Sequence, residues 1–126
     1  MYLDSSALTK LVIDEPESRS LENVLQDRTL MTSRVAVVEV SKSVARSNPV
    51  ADPSRILSMV TLLELDADVA SLAATTGGTS LRALDAIHVA SALLVGADLE
   101  DFITYDARQS EAASAAGLHV IAPGAD

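Results

Sequence analysis

No cysteine occurs among the 126 residues, which excludes disulfide frameworks, thiolate zinc sites and cysteine nucleophiles. There is no tryptophan, and only one phenylalanine and two tyrosines, so the core has to be built from Leu, Val, Ile and Ala. Lysine is nearly absent, at Lys10 and Lys42 alone. No apolar run approaches the ~18 residues expected of a membrane span. The opening Met1-Tyr2-Leu3-Asp4 has no basic segment leading into an apolar stretch, as a secretory leader would. These absences predict a cytoplasmic protein with no membrane association.

Positive charge is also scarce: nine Lys and Arg stand against 18 Asp and Glu, a net charge of −9. That balance argues against broad, non-specific nucleic-acid binding, which relies on basic surface. Five of the nine basic residues (Arg28, Arg34, Lys42, Arg46 and Arg55) nevertheless fall between positions 28 and 55, so a locally basic face is expected there. Hydrophobic residues make up 48% and charged residues 21% of the chain, the composition of a packed globular protein. The length suits one domain spanning 1–126, and no repeat or linker divides it.

Short apolar strands alternate with amphipathic helices. Met1-Tyr2-Leu3 ends at Asp4-Ser5-Ser6, residues that favour a helix start. Helices are predicted over 5–12 and 17–26, a strand at 30–32, and a helix from the Ser33 cap to about Arg46. A short helix at 53–60 leads to a strand at 62–65 closed by Asp66. Residues 67–75 read as helix and Gly77-Gly78 as a turn. A helix over 81–95 carries Leu84, Ile87, Ser91 and Leu94 on one stripe. A strand at 102–105, a helix over 107–116 stopped by Gly117, and a strand at 118–121 complete the chain. Strands alternating with helices imply a mostly parallel sheet covered on both faces, that is, an α/β three-layer α/β/α sandwich.

Four acids stand in unusual positions. Asp4 and Asp106 lie at the C-terminal ends of strands, the edge where ligands bind in open α/β sheets. Glu39 sits in Val35-Ala36-Val37-Val38-Glu39-Val40 and Asp85 in Leu84-Asp85-Ala86-Ile87-His88-Val89-Ala90, apolar runs where a charge costs burial energy unless compensated. Each has a plain alternative. Asp4 and Asp106 could be helix N-caps, Glu39 could pair with Lys42 one turn on, and Asp85 could favour a helix dipole. Asp66 is the control, since it too ends a strand and precedes a helix.

Gathered carboxylates repel one another, and each then titrates upward. A divalent cation removes that penalty, and oxygen-only donors favour Mg²⁺ or Mn²⁺ over zinc. Such a metal turns water into a nucleophile and stabilises charge developing on a phosphoryl group. His88 and His119 are the only histidines, so a two-histidine ribonuclease mechanism is formally open. His88 reads more naturally as a satisfied helix residue, and His119 as a strand-edge residue. A haloacid-dehalogenase-like phosphatase would need an Asp where Ser6 stands, and a receiver domain needs a late lysine. No phosphate-binding glycine loop is present.

These blocks resemble the PIN-domain ribonuclease toxins of the VapC type. The opening Tyr2-Leu3-Asp4-Ser5-Ser6-Ala7-Leu8-Thr9-Lys10-Leu11 followed by Asp14-Glu15-Pro16 is similar to the family's start. Thr32-Ser33, then Glu39-Val40 and Arg46, resemble its second block. Leu81 to Ala92 is the most specific match, and Thr104-Tyr105-Asp106 fits the last block. The resemblance implies a PIN-like fold and an endoribonuclease using Mg²⁺ or Mn²⁺, with Asp4, Glu39, Asp85 and Asp106 as catalytic metal-binding acids. Asp4 and Asp85 would be the central ligands, and Ser5 and Thr104 hydroxyls orienting carboxylates or water. Arg46 would contact a phosphate. Ser5 stands where the family often has Thr, and Gln109 where it often has an apolar residue. Asp66 matches no acid of the quartet and is left as a helix cap.

The resemblance also implies a homodimer and an antitoxin whose basic, partly apolar segment covers the acidic site. RNA is expected to meet the basic residues of the 28–55 stretch, Arg34, Lys42 and Arg46 among them. Two rival readings remain: a catalytically silent PIN-like binding or assembly module, and a metal-dependent nuclease or phosphatase with a non-RNA substrate.

Overall fold

In the computed structural model, which describes residues 1–125, five short strands form one all-parallel sheet. The elements in chain order are β1 (Tyr2–Leu3), α1 (Ser5–Val12), α2 (Ser18–Leu25), β2 (Met31–Ser33), α3 (Val35–Ser47), α4 (Ser54–Met59), β3 (Thr61–Leu63), α5 (Ala67–Ala73), α6 (Ala83–Val95), β4 (Phe102–Ile103), α7 (Ala107–Ala115) and β5 (Val120–Ile121). A single 3₁₀ turn, Gly96–Asp98, follows α6. Across the sheet the order is β3-β2-β1-β4-β5. The chain therefore builds outward from β1 to one edge, returns, and builds outward from β4 to the other. The reversal falls between β1 and β4, which pair Tyr2 with Phe102 and Leu3 with Ile103. At such a point two successive crossovers leave the sheet on opposite faces, and a crevice opens beyond the strand ends.

The two-residue period of a strand divides the core. Leu3 and Ile103 face one layer, where Leu8, Leu21, Val40 and Val44 of α1, α2 and α3 close over them. Tyr2 and Phe102 face the other, against Val89 and Ala92 of α6 and Ala113 of α7. Their rings stack at 5.1 Å. Leu3, Leu8 and Leu21 have no solvent exposure, and burying each side chain contributes about 2 kcal/mol. The expected three-layer α/β arrangement is the one the chain adopts.

Two local expectations need correction. The strand foreseen at 62–65 is Thr61–Leu63, because Glu64 turns outward to an ion pair with Arg34. On α6 the stripe Leu84, Ile87, Ser91, Leu94 is fully buried only at Ser91. Leu84 and Leu94 are 45% and 50% exposed, while Ala86, His88, Val89, Ala90, Ser91 and Ala92 are buried. This helix packs against α5, α7 and β2, and small side chains permit that close approach on several sides. No helix among the described residues is long and apolar enough to cross a membrane.

Candidate active site

Asp4 leaves β1 in extended conformation and caps α1, its Oδ1 accepting from the Ala7 backbone N–H at 3.1 Å. The capping role is therefore real, but it does not exhaust the side chain. Ser6 donates to Oδ1 at 2.6 Å, and Thr104, at the end of β4, donates to Oδ2 at 2.5 Å. The same two hydroxyls accept from the backbone that follows β4: Ser6 Oγ from the Tyr105 N–H and Thr104 Oγ1 from the Asp106 N–H. Asp4 is 4% exposed. Burial pushes its carboxyl above the ordinary carboxylate range, against the pull of the Ser6 and Thr104 hydroxyls and the Ala7 N–H.

Glu39 lies on the second turn of α3, between Ala36 and Val40, whose side chains anchor that helix in the core. Its Oε1 accepts from Ser5 at 2.6 Å and stands 2.7 Å from His88 Nε2. Burial acts to raise its pKa, but the His88 and Ser5 contacts outweigh that and hold the carboxyl below its ordinary value. The charge that looked misplaced in an apolar run is thus compensated by named donors.

Asp85 sits in the first turn of α6. Its pKa is raised first by burial and next by Asp106, with smaller contributions from Glu39 and Asp4. Asp85 therefore feels the charge of the other three acids near the β1–β4 crevice. Asp106 caps α7 through Oδ1, which accepts from the Gln109 N–H at 3.0 Å. Among the described residues, no three acidic or imidazole groups are arranged as they stand to hold a metal ion. Mutual repulsion between uncompensated carboxylates favours such open spacing.

A groove of about 450 Å³ opens beside Glu39, lined also by Ser5, Ser6, Lys10, Glu15, Arg46 and Tyr105. Arg46 thus shares a wall with Glu39. The wider basic stretch is not one free face. Arg34 is bound at both ends of its guanidinium by Glu64, and Arg28 is paired with Glu100. His119 precedes β5 and pairs with Asp101 at the opposite edge of the sheet, so the two histidines do not converge. Asp66 is an exposed cap, its Oδ1 accepting from the Val69 N–H.

Sequence reasoning missed Ser6, Tyr105 and Tyr2. The Asp4-Ser5-Ser6 triplet offered a signal for Ser6, since two hydroxyls on consecutive residues point to different sides of a helix start. Tyr105 contributes a ring 4.8 Å from Lys10 Nζ and a hydroxyl that donates to the Pro123 carbonyl at 2.7 Å. Nothing in the pattern marked Tyr2 as other than a core aromatic.

Comparison with known proteins adds three findings. The sequence matches the PIN domain family over residues 1–115. It is 41% identical to ribonuclease VapC35 of Mycobacterium tuberculosis, over 98% of this chain and 97% of that one. The fold is similar to that of M. tuberculosis VapC20, described as a sarcin-ricin loop cleaving toxin, with a TM-score of 0.69 at 15% identity over 97% and 98% of the two chains. It is also similar to a chain of a toxin–antitoxin complex from Klebsiella pneumoniae, with a TM-score of 0.67 at 22% identity over 97% and 96%.

Proposed function

The chain belongs to the PIN-domain family, in its VapC type, and on that premise we propose that it is a Mg²⁺- or Mn²⁺-dependent endoribonuclease, the toxin of a toxin–antitoxin pair, built as one domain over residues 1–126. The observation that carries the reading is that Thr104 joins buried Asp4 to the Asp106 backbone across the β1–β4 reversal, with Asp85 close enough to feel Asp4, Glu39 and Asp106.

The donor set fits a hard divalent cation. Among the described residues each acid keeps an oxygen with unused acceptor capacity. Glu39 Oε2, Asp106 Oδ2 and both Asp85 oxygens receive no protein donor, and Asp4 Oδ2 receives one. Asp4 and Asp85 would be the main ligands, with Glu39 and Asp106 completing the set directly or through water. A metal held there supplies a water nucleophile at neutral pH and charge stabilisation at the phosphoryl group. The protein's own groups do the positioning. Ser6 and Thr104 fix the plane of the Asp4 carboxylate, and Ser5 fixes that of Glu39. Arg46, on the groove wall, meets a phosphate of the substrate.

The four acids suit a basic antitoxin segment, since opposite fields speed docking and select partners. The solved Klebsiella relative is a toxin–antitoxin complex, which supports such a partner. We extend the proposal to a homodimer. Val38, Leu84 and Leu94 leave apolar surface on α3 and α6 that a second copy would cover.

The open spacing of the acids favours one other reading, a silent PIN-like module. Mn²⁺ binding followed by water-proton relaxation, on wild type beside Asp4→Asn and Asp85→Asn, separates the two. Saturable binding lost in both variants is the expected result, followed by RNA cleavage that both variants lack. Equal binding by all three proteins would sink the metal reading.

A further inference from the structure

A line of buried polar groups runs from Glu39 away from the groove and into the core beneath β1. The Ser33 backbone N–H donates to the Tyr2 hydroxyl at 3.1 Å. Tyr2 Oη stands 2.7 Å from His88 Nδ1, and His88 Nε2 stands 2.7 Å from Glu39 Oε1. Tyr2 and His88 are sealed from solvent. Four residues from β1, β2, α3 and α6 meet in one chain of contacts.

A neutral imidazole satisfies all of these contacts with only one placement of its proton. Ionised Glu39 accepts and cannot donate, so Nε2 must carry the hydrogen. Nδ1 then presents a lone pair, and the Tyr2 O–H is the donor in reach. The phenol oxygen still has a lone pair for the Ser33 N–H. The hydrogen bonds therefore all point one way, from Ser33 through Tyr2 and His88 to Glu39.

We infer that Tyr2 and His88 are positioning residues of the acidic site, acting through Glu39. The Tyr2 hydroxyl dictates that His88 carries its proton on Nε2, and that N–H holds Glu39 by Oε1 so that Oε2 remains for the metal or its water. The inference rests on the metal reading above. Packing does not call for the hydroxyl, since a phenylalanine would stack on Phe102 equally well.

Two measurements on the full chain test this. In metal-free, ¹⁵N-labelled protein, the two-bond proton–nitrogen correlations of His88 should show a neutral ring with its hydrogen on Nε2. A hydrogen on Nδ1, alone or together with Nε2, would overturn the inference. Mn²⁺ affinity is then measured for wild type, Tyr2→Phe, His88→Gln and the double variant, with thermal unfolding as the check on folding. A glutamine amide can donate to Glu39 without a partner to set its tautomer. Tyr2→Phe should weaken Mn²⁺ binding by about tenfold on its own, the scale of a lost ligand-orienting group. With His88→Gln already in place it should cost less than about twofold, a coupling that independent sites do not show. Equal losses in both backgrounds would mean that Tyr2 acts by packing alone. Were wild type to bind no Mn²⁺, the metal reading would fall, and the ring pattern with its change in Tyr2→Phe would still decide the Tyr2–His88 arrangement.

Discussion

Asp4 and Asp66 begin from the same local design. Each follows a strand, Asp4 directly and Asp66 after two residues, adopts an extended backbone, and caps the next helix by accepting an N–H three residues on, at 3.1 and 2.9 Å. Beyond that they share nothing. Asp66 leaves the edge strand β3 and stands in solvent, whereas Asp4 leaves the central strand β1 and is buried. Its second oxygen is held by Thr104 from the far side of the switch point, and Asp85 feels its charge. A cap is a local property of the chain. A site is a property of where the sheet reverses, and the same residue in the same local frame becomes one or both according to its strand's place in the order.

Removing charge without removing the cap should break the pair apart most sharply. Asp4→Asn retains a capping oxygen but removes a ligand charge. Mn²⁺ affinity and RNA cleavage should each fall by more than about 100-fold, because even a group that only orients a ligand is worth about 10–100-fold. Asp66→Asn should change neither. Relaxation titrations and a cleavage assay on both variants provide the check. Next in size comes Thr104→Val, which deletes the hydroxyl on Asp4 Oδ2 and nothing at Asp66. Mn²⁺ binding should weaken by about tenfold with the ligand set intact, measured in the same titration.

The comparison also marks how far the sequence was legible. Strand–helix alternation was enough for the layers and the parallel sheet, because each short apolar segment carried its own punctuation. Asp4 and Asp106 stood out as strand ends, and Glu39 and Asp85 as charges in apolar runs, so four candidate acids could be named. What the pattern could not convey was relation across the chain. Tyr2 reads as a core aromatic, and nothing near it in sequence announces His88, 86 residues away. On α6 a search for large apolar residues picked Leu84 and Leu94. The buried face is instead rich in alanine, because close packing of α6 against its neighbours selects small side chains. Arg34 looked available for RNA until Glu64, 30 residues on, was seen to hold it.

Two smaller effects sharpen the contrast from the other side. Asp66→Ala removes the cap itself and should cost about 1 kcal/mol, a fall in Tm of about 4 °C, with cleavage unchanged. Calorimetry beside the activity assay tests that separation. Arg46→Ala should reduce the salt dependence of RNA binding by about 0.7 in logarithmic slope, the contribution of one phosphate contact on a single strand. Arg34→Ala should leave the slope alone, since its guanidinium is already spent on Glu64. Titrations at several salt concentrations distinguish the two.

The hydroxyl of Thr104 on Asp4 joins residues 100 positions apart, and β1 completes its hydrogen bonding only when β4 lies beside it. Contacts of such long sequence separation form slowly, because a large loop must close before they gain anything. During synthesis Asp4 emerges early, and the strand that stitches it in place arrives 100 positions later. A ribosome making this chain is therefore exposed to no assembled site until β4 has emerged. The reversal that creates the crevice also sets the moment at which the crevice exists.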